Sequence, residues 1–187
     1  GIQWLGVAVL LIVPLAFVVN WAIYHYLLTP LVRRAKSRGQ LEVDGIRVKT
    51  KLLSHPGKCL GFRVEYNGRS ICYVTDNEMF FETHEAYNPH YEEKLAEFVH
   101  GADALITDST YTDEEYASKE GWGHSCIGKV VELADNAEIK TLYLFHHDPD
   151  QSDIDIDGKL EMASKELAKR KSKTEVKCPQ VGQTFML

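Results

Sequence analysis

Three runs of residues between positions 103 and 149 decide the fold: D-A-L-I-T-D-S-T-Y-T-D-E-E-Y (103–116), G-W-G-H-S-C (121–126) and L-Y-L-F-H-H-D-P (142–149). Residues 104–107 and 141–145 are short, apolar and β-prone, so they predict two strands. Residues 127–137 carry apolar side chains at helical spacing, with Ser125 as the N-cap. The pattern therefore predicts a βαβ unit.

Polar side chains follow both strands of this unit. Asp108 comes directly after the first strand, and His146, His147 and Asp148 come after the second. In a βαβ unit, residues just beyond the carboxyl ends of the strands face a common crevice. We therefore expect these four side chains to gather on one rim, where a functional site would lie.

The composition limits the number of domains and the class of partner. A chain of 187 residues is long enough for one domain and too short for two full ones. The net charge of -6 argues against a nucleic-acid surface built on bulk charge, although it leaves room for a local basic pocket. The four cysteines lack C-x-x-C spacing, which favours reduced core residues in a cytosolic domain.

Residues 1–32 contain no Asp, Glu, Lys or Arg and are long enough to cross a hydrocarbon core of ~30 Å as one helix. This stretch predicts a transmembrane helix. Four basic residues within the linker 33–40 favour a membrane-anchored protein whose polar part is cytoplasmic. The alternative is a buried core helix in a cytoplasmic protein. The chain begins at Gly1, which is consistent with a processed product or an excerpt of a longer protein.

Residues 41–187 have the composition of a single α/β (α+β) domain. The patterns predict, in chain order, strands around the Asp44-Gly45 turn (41–53), a hairpin of strands 61–66 and 70–75 around Asn67-Gly68, a loop (77–90), a helix (91–99), an acidic loop (151–157), a helix (159–171) and closing strands (175–178 and 184–187).

Four residues stand out by their position at a strand edge or a helix start: His55, Asp76, His124 and His146. Imidazole and carboxylate groups that converge on one rim are suitable ligands for zinc, manganese or iron, and a carboxylate between two ions can bridge them. Any one of these histidines alone is more often a surface or capping residue, so the indication depends on the whole set.

The order of the motifs is more specific than any single residue. H-P-G-K-C-L-G-F-R-V-E (55–65), Y-V-T-D (73–76), L-I-T-D (105–108), G-H-S (123–125) and L-F-H-H-D-P (144–149) follow one another. This series resembles the C-terminal half of the metallo-β-lactamase superfamily, and most closely its branch of ribonuclease Z and cyclic-nucleotide phosphodiesterase-like hydrolases. The resemblance covers residues 41–187 and implies one half of an αββα sandwich.

The resemblance also implies roles for individual residues. His55 is similar to a histidine ligand of a first metal, Asp76 to the aspartate that bridges two metals, and His146 to a histidine ligand of the second. His124 is similar to the histidine that donates a proton to the leaving oxygen of a phosphodiester. The implied cofactors are two divalent ions, with zinc expected first and manganese or iron as alternatives.

Several neighbouring residues remain open to two interpretations. His147 is the rival of His146 as a ligand, although the spacing to Pro149 favours His146. Asp108 either orients a neighbouring histidine or caps its strand. The aromatic residues Trp122, Tyr111 and Tyr116 either line a substrate pocket or pack in the core.

The main ligand motif of the superfamily, H-x-H-x-D-H, is absent from this sequence. The residues that remain are too few to hold a catalytic ion tightly. One half of a sandwich also leaves a sheet face open, which must be covered by a partner chain carrying the other half, by a second copy, or by the apolar N-terminal segment.

Two functions from different classes follow. In the first, the chain belongs to a metal-dependent hydrolase that uses a metal-activated water on a small-molecule or nucleotide phosphodiester, and residues outside this chain complete the site. In the second, it is a membrane-tethered, non-catalytic half-domain that binds a partner. The chain is an enzyme only if the missing ligands are supplied from elsewhere.

Overall fold

The computed structural model describes residues 40–186, and Glu42–Leu187 form a compact unit. The predicted transmembrane helix at 1–32 and nearly all of the linker at 33–40 lie outside the described residues. Within the described part, no helix is both long and apolar enough to span a bilayer. The strands are β1 (Gln40–Val43), β2 (Ile46–Leu52), β3 (Leu60–Tyr66), β4 (Arg69–Val74), β5 (Ala104–Asp108), β6 (Thr141–Phe145) and β7 (Glu175–Lys177). The helices are α1 (Pro89–Val99), α2 (Asp113–Tyr116), α3 (Ile127–Asn136) and α4 (Asp153–Arg170).

All seven strands form one mixed sheet in which the spatial order follows the chain order. Strands β2, β3 and β4 are antiparallel, whereas β4, β5, β6 and β7 run parallel to one another. The predicted βαβ unit is thus confirmed as β5, α3 and β6. Because β4, β5 and β6 are parallel neighbours, their carboxyl ends meet at one edge of the sheet.

The predicted hairpins are also confirmed, and their turns explain them. Asn67 and Gly68 have φ values of 47° and 74° between β3 and β4, and Asp44 and Gly45 have 50° and 78° between β1 and β2. Positive φ at both central residues is the geometry of a type I′ turn, which matches the twist of the flanking strands and favours Asn-Gly and Asp-Gly. Local turn chemistry therefore sets the register within each of these two hairpins.

The helices cover one face of the sheet. Alternate residues of β4, β5 and β6 point to this face, where they form the main core with α1, α3 and α4. These strand residues are Cys72, Val74, Leu105, Leu142 and Leu144. The opposite face, hereafter the open face, carries large exposed apolar side chains: Leu52, Leu60, Phe62, Tyr73 and Phe145. Single exposed apolar residues are common on protein surfaces, but here several large ones lie together on one face of the sheet.

Three predictions of local structure were wrong. Helix α4 begins at Asp153, within the stretch predicted as an acidic loop, because Ser152 and Asp155 form a capping box and the acidic residues lie at the positive pole of the helix. Ser125 is not the N-cap of α3: Cys126 occupies that position without a side-chain hydrogen bond. Residues 184–186 form no strand.

Asp103 links three strands at the edge of the sheet opposite the carboxyl ends. Its Oδ1 accepts hydrogen bonds from Lys140 Nζ at 2.8 Å and Arg69 Nη1 at 3.1 Å, and its Oδ2 accepts one from the Ser70 amide at 2.8 Å. Burial alone would raise the pKa of this carboxyl, but the bonds from Lys140, Ser70 and Arg69 outweigh it and lower the pKa to about 2.

We expect Asp103→Asn to lower the free energy of unfolding at pH 7 by about 1–2 kcal/mol, a figure reduced because both cations are solvent-exposed. The depressed pKa means that the carboxylate stabilises the fold above pH 3.8, and that this contribution disappears as the pH falls towards 2. Urea unfolding of the variant should therefore show a weaker pH dependence in this window. The exposed Asp150→Asn serves as the control, and equal pH profiles for wild type and Asp103→Asn would contradict the account.

Candidate functional site

Five side chains from separate parts of the chain converge at the carboxyl ends of the parallel strands. Asp76 follows β4, Asp108 ends β5, and His146 directly follows β6. His55 comes from the loop between β2 and β3, and His124 lies just before α3. Of the four side chains that the sequence predicted on one rim, Asp108 and His146 belong to this cluster and His147 and Asp148 do not. The earlier hairpin contributes to the cluster as much as the βαβ unit does.

The backbone turns sharply where two of these residues lie. Asp76 and His146 each have a φ of 57°, in the left-handed region that residues other than glycine seldom adopt. Such conformations persist where the surrounding structure imposes them, and they are common at functional sites. At both strand ends a polar residue therefore adopts a backbone conformation that residues other than glycine seldom adopt.

Asp108 is fully buried and orients His124. Its Oδ2 lies 2.7 Å from His124 Nδ1, and its Oδ1 accepts bonds from the amide and hydroxyl of Thr110. Because an ionised carboxylate only accepts, Nδ1 carries the proton of this pair. The hydrogen bond that His124 donates to Asp108 is the main cause of the raised pKa of His124, with burial acting against it. Asp108 thus both orients a histidine and caps its strand.

His146 lies between the two aspartates. Its Nε2 is 3.5 Å from Asp76 Oδ1, and its Nδ1 is 4.0 Å from Asp108 Oδ2. The rings of His124 and His146 stack with centroids 5.0 Å apart. Among the described residues, the buried Nδ1 atoms of His146 and of its neighbour His147 both lack a hydrogen-bond partner, which is unusual for buried polar atoms.

The potential ligand atoms form two overlapping groups. One group contains His55, Asp76 and His124, the other contains Asp108, His124 and His146, and within each group the ligand atoms lie within 4.8 Å of one another. Imidazole nitrogens and carboxylate oxygens in threes are the donor set that a catalytic zinc site uses. The residues therefore fit a divalent metal centre. His124 belongs to both groups, which the sequence did not indicate.

Comparison with known proteins gives the family. The sequence model described as a beta-lactamase superfamily domain matches residues 31–147, well over half of the chain. The chain belongs to the beta-lactamase superfamily. The resemblance inferred from the motif order, including that to the ribonuclease Z branch, is thereby confirmed.

The chain is also similar to individual proteins. A protein of Nocardia farcinica (strain IFM 10152) named ribonuclease Z is 26% identical over 117 residues, which cover 63% of this chain and 32% of the relative. The metallo-β-lactamase fold protein YhfI from Bacillus subtilis aligns over 77% of this chain and 51% of its own, with a TM-score of 0.59 and 17% identity. The short form of human tRNase Z covers 60% of this chain and 41% of its own, with a TM-score of 0.45 and 21% identity.

The chain thus spans about a third of the curated relative and about half of the YhfI structure. The similarity to YhfI supports the fold, which is one sheet with helices on one face. The open face of this superfamily member and its lack of H-x-H-x-D-H are both consistent with a chain that carries part of the domain.

The structure gives the surroundings of the residues for which the sequence allowed two interpretations. His147 belongs to neither group of ligand atoms, and burial lowers its pKa to about 4. Tyr111 and Tyr116 are buried in a small second core with Cys126. Trp122 is 58% exposed, with Lys119 Nζ 4.2 Å from its ring centroid, so it is the aromatic residue of the three that a substrate can reach.

Sequence reasoning missed two buried charged residues behind the site. Lys159 is 1% exposed and donates to the carbonyl oxygens of Ser109 and Thr110 and to Gln151 Oε1, which supports the turn after Asp108. Glu78, two residues after Asp76, accepts three hydrogen bonds. In the sequence, nothing distinguishes Lys159 from a solvent-exposed lysine on a helix. Glu78 could have been noticed, because it lies only two residues after Asp76.

Gly123 lies directly against His55. A Cβ atom built at this position would come 2.2 Å from His55 Cδ2, and the φ of Gly123 is 92°. We expect Gly123→Ala to displace the His55 ring and to destabilise the loop, by about 1–3 kcal/mol from backbone strain alone. Histidine ring resonances and urea unfolding measure the two effects. Gly158→Ala, at an open helical position, is the control, and an unmoved His55 in Gly123→Ala would contradict the geometry.

Proposed function

We propose that this chain supplies one wall of a divalent-metal-dependent phosphodiester hydrolase centre of the beta-lactamase superfamily. The observation that carries the proposal is the position of the Asp108–His124 pair, which lies within two overlapping groups of metal-ligand atoms. A surface histidine needs no such partners, whereas an acid catalyst beside a metal centre does.

The chain's own ligands divide between two ions. His55 and Asp76 are assigned to a first divalent ion, and Asp76 and His146 to a second, with zinc as the first choice and manganese or iron as alternatives. Such ions, when bound, lower the pKa of water and offset negative charge on a phosphoryl group. Asp76 can bridge because its two carboxylate oxygens can reach different partners, and one of them lies 3.5 Å from His146.

His124 is assigned the role of general acid. Its hydrogen bond to Asp108 raises its pKa and fixes a proton on Nδ1, so Nε2 carries the second proton in the imidazolium form. Transfer of the Nε2 proton to the leaving oxygen would produce a neutral alcohol, and the imidazole would keep its bond to Asp108. Proton donation of this kind contributes typically ~10²–10⁴-fold to a rate.

The remaining ligands must come from outside residues 40–186. We propose that a complementing chain, which carries H-x-H-x-D-H, packs on the open face. The expected substrate is a small-molecule or nucleotide phosphodiester, a class supported by the relative named ribonuclease Z. Anchoring to a membrane through residues 1–32 stays part of the proposal, with the polar part in the cytoplasm.

The test is hydrolysis of bis(p-nitrophenyl) phosphate by the full chain with Zn²⁺ or Mn²⁺. The assay is run with and without the N-terminal half of the Nocardia ribonuclease Z, added as a complementing chain. We expect activity that requires the metal, increases with the complementing half and disappears with EDTA. A folded chain that stays inactive under every condition would favour the non-catalytic, partner-binding half-domain.

A further inference from the structure

Glu78 is a buried carboxylate held by three donors. It is 2% exposed, and its Oε1 accepts bonds from Tyr116 Oη at 2.8 Å and from the Gly121 amide at 2.7 Å. Its Oε2 accepts a bond from the Gly123 amide at 2.7 Å. A buried carboxylate that receives hydrogen bonds on both oxygens is held rigidly, because each bond to a charged acceptor is stronger than a neutral one.

The loop that Glu78 binds leads directly to His124. Gly121 and Gly123 have φ values of 85° and 92°, so the G-W-G segment adopts a conformation that glycine tolerates best. This conformation turns two amides of one loop towards the same carboxylate, as in the backbone concavities that bind anions. Here the anion is a side chain of the protein, and the bound loop ends one residue before His124.

The backbone around Glu78 reaches the other parts of the site. The Glu78 amide donates to the carbonyl oxygen of Ser54, the residue before His55, at 2.7 Å. The neighbouring Asn77 donates its amide to Asp108 Oδ2 at 3.4 Å and accepts a bond from Ser125 Oγ at 2.6 Å. Residues 77–78 thus connect the His55 loop, the Asp108 carboxylate and both sides of His124.

We infer that Glu78 is a positioning residue for His124. It fixes the G-W-G loop so that the His124 ring meets Asp108 at hydrogen-bonding distance and lies within reach of both groups of ligand atoms. The catalytic benefit of this arrangement rests on the proposed function. The positioning itself does not, because it follows from contacts among the chain's own residues and can be measured in a protein that turns over no substrate.

Replacing Glu78 by glutamine gives the most direct variant. Glutamine has nearly the same shape as glutamate, but only one of its two terminal groups is an acceptor oxygen. The other is an NH₂ group, which cannot accept a hydrogen bond from the glycine amide that it faces. One of the two glycine amides would therefore lose its partner. We expect its hydrogen exchange to become at least ~10-fold faster, since a lost hydrogen bond is worth about that factor or more.

The experiment is ¹H–¹⁵N NMR of the full 187-residue chain for wild type, Glu78→Gln, Glu78→Asp and the exposed control Glu82→Gln. In Glu78→Gln the Gly121 or Gly123 amide should move upfield and exchange faster, and the His124 ring nitrogens should change from one Nδ1-protonated form to a mixture of tautomers. Glu78→Asp should recover part of both effects, and Glu82→Gln should match wild type. His90, which is exposed and distant in sequence, reports on the overall fold.

Two results would overturn the inference. If the glycine amides respond and the His124 ring signals stay as in wild type, Glu78 supports the loop without positioning the histidine. If the glycine amides do not respond, the three hydrogen bonds do not exist in solution. Should Glu78→Gln fail to fold, Tyr116→Phe removes one of the two donors to Oε1 and so loosens the carboxylate that holds the loop. Unchanged signals of both the Gly121 amide and the His124 ring in this variant would then count against the inference. If the variants change the His124 signals as expected but the wild-type chain hydrolyses no substrate, only the proposed function is weakened.

Discussion

Asp76→Ala is expected to weaken binding of Zn²⁺ or Mn²⁺ by the chain at least about 100-fold and to remove any metal-dependent hydrolysis. Replacement of a residue that only supports a ligand costs about 10–100-fold, so loss of a ligand shared by two ions should cost more. Asp76 belongs to the ligand group with His55 and His124, and its carboxylate also lies 3.5 Å from His146. Isothermal titration calorimetry measures the change in affinity.

The matched control for this prediction is Asp150→Asn, which removes an exposed carboxylate four residues after His146. It should bind metal as the wild type does. Asp76→Asn adds a sharper comparison, because the amide keeps the size of the side chain and removes the charge that an ion would bind. Unchanged affinity in both Asp76 variants would show that any bound ion occupies a different site.

His124→Ala is expected to reduce kcat for phosphodiester hydrolysis by about 10²–10⁴-fold, the usual contribution of a general acid. Metal content decides between the two roles that the geometry allows, since His124 lies in both groups of ligand atoms. As a proton donor it is dispensable for binding, so the variant should keep the wild-type stoichiometry. Loss of kcat should also be smaller for a substrate with a nitrophenolate leaving group, which needs little protonation.

The control for His124→Ala is His90→Ala, because the His90 side chain is 74% exposed and lies outside the site. Its kcat and metal content should equal those of the wild type. A His124→Ala variant that loses its metal would instead identify His124 as a ligand. In that case the leaving oxygen would receive its proton from another group or from water.

Much of the fold was predictable because its signals are local. The two I′ turns, the apolar strands and the helical spacing of α3 each depend on a few adjacent residues, so they can be recognised without knowledge of the tertiary structure. The convergence of Asp108 and His146 was also predictable, since polar residues at the ends of parallel strands must meet at one edge.

Other features depend on contacts between distant segments and could not be predicted from local patterns. Serine is a common N-cap residue, but the Ser125 hydroxyl instead donates a hydrogen bond to the carbonyl oxygen of Asn77, 48 residues away in the sequence. The burial of Lys159 depends on three acceptors from two loops. The start of α4 is a different error: the capping box at Ser152 is a local signal, and the density of acidic residues obscured it.

The site likewise combines features that the sequence indicates with features that only the structure shows. The motif order identified His55, Asp76, His124 and His146, but only the structure shows that His124 lies among all the ligand atoms and that Asp108 holds its ring. The spacing to Pro149 favours His146 over His147 as a ligand, and in the structure His146 lies within one group of ligand atoms whereas His147 lies in neither. The role of Glu78 follows from three hydrogen bonds that no spacing in the sequence specifies.

The central claim is that the rim formed by His55, Asp76 and His146 binds divalent metal. Its most direct test is the amount of metal that the purified full chain binds in equilibrium dialysis against an excess of Zn²⁺ or Mn²⁺, at which a weak site is also occupied, measured by inductively coupled plasma mass spectrometry. We predict stoichiometric metal in the wild type and in His90→Ala, and its loss in His55→Ala. A well-folded wild-type chain that remains metal-free under these conditions would contradict the account.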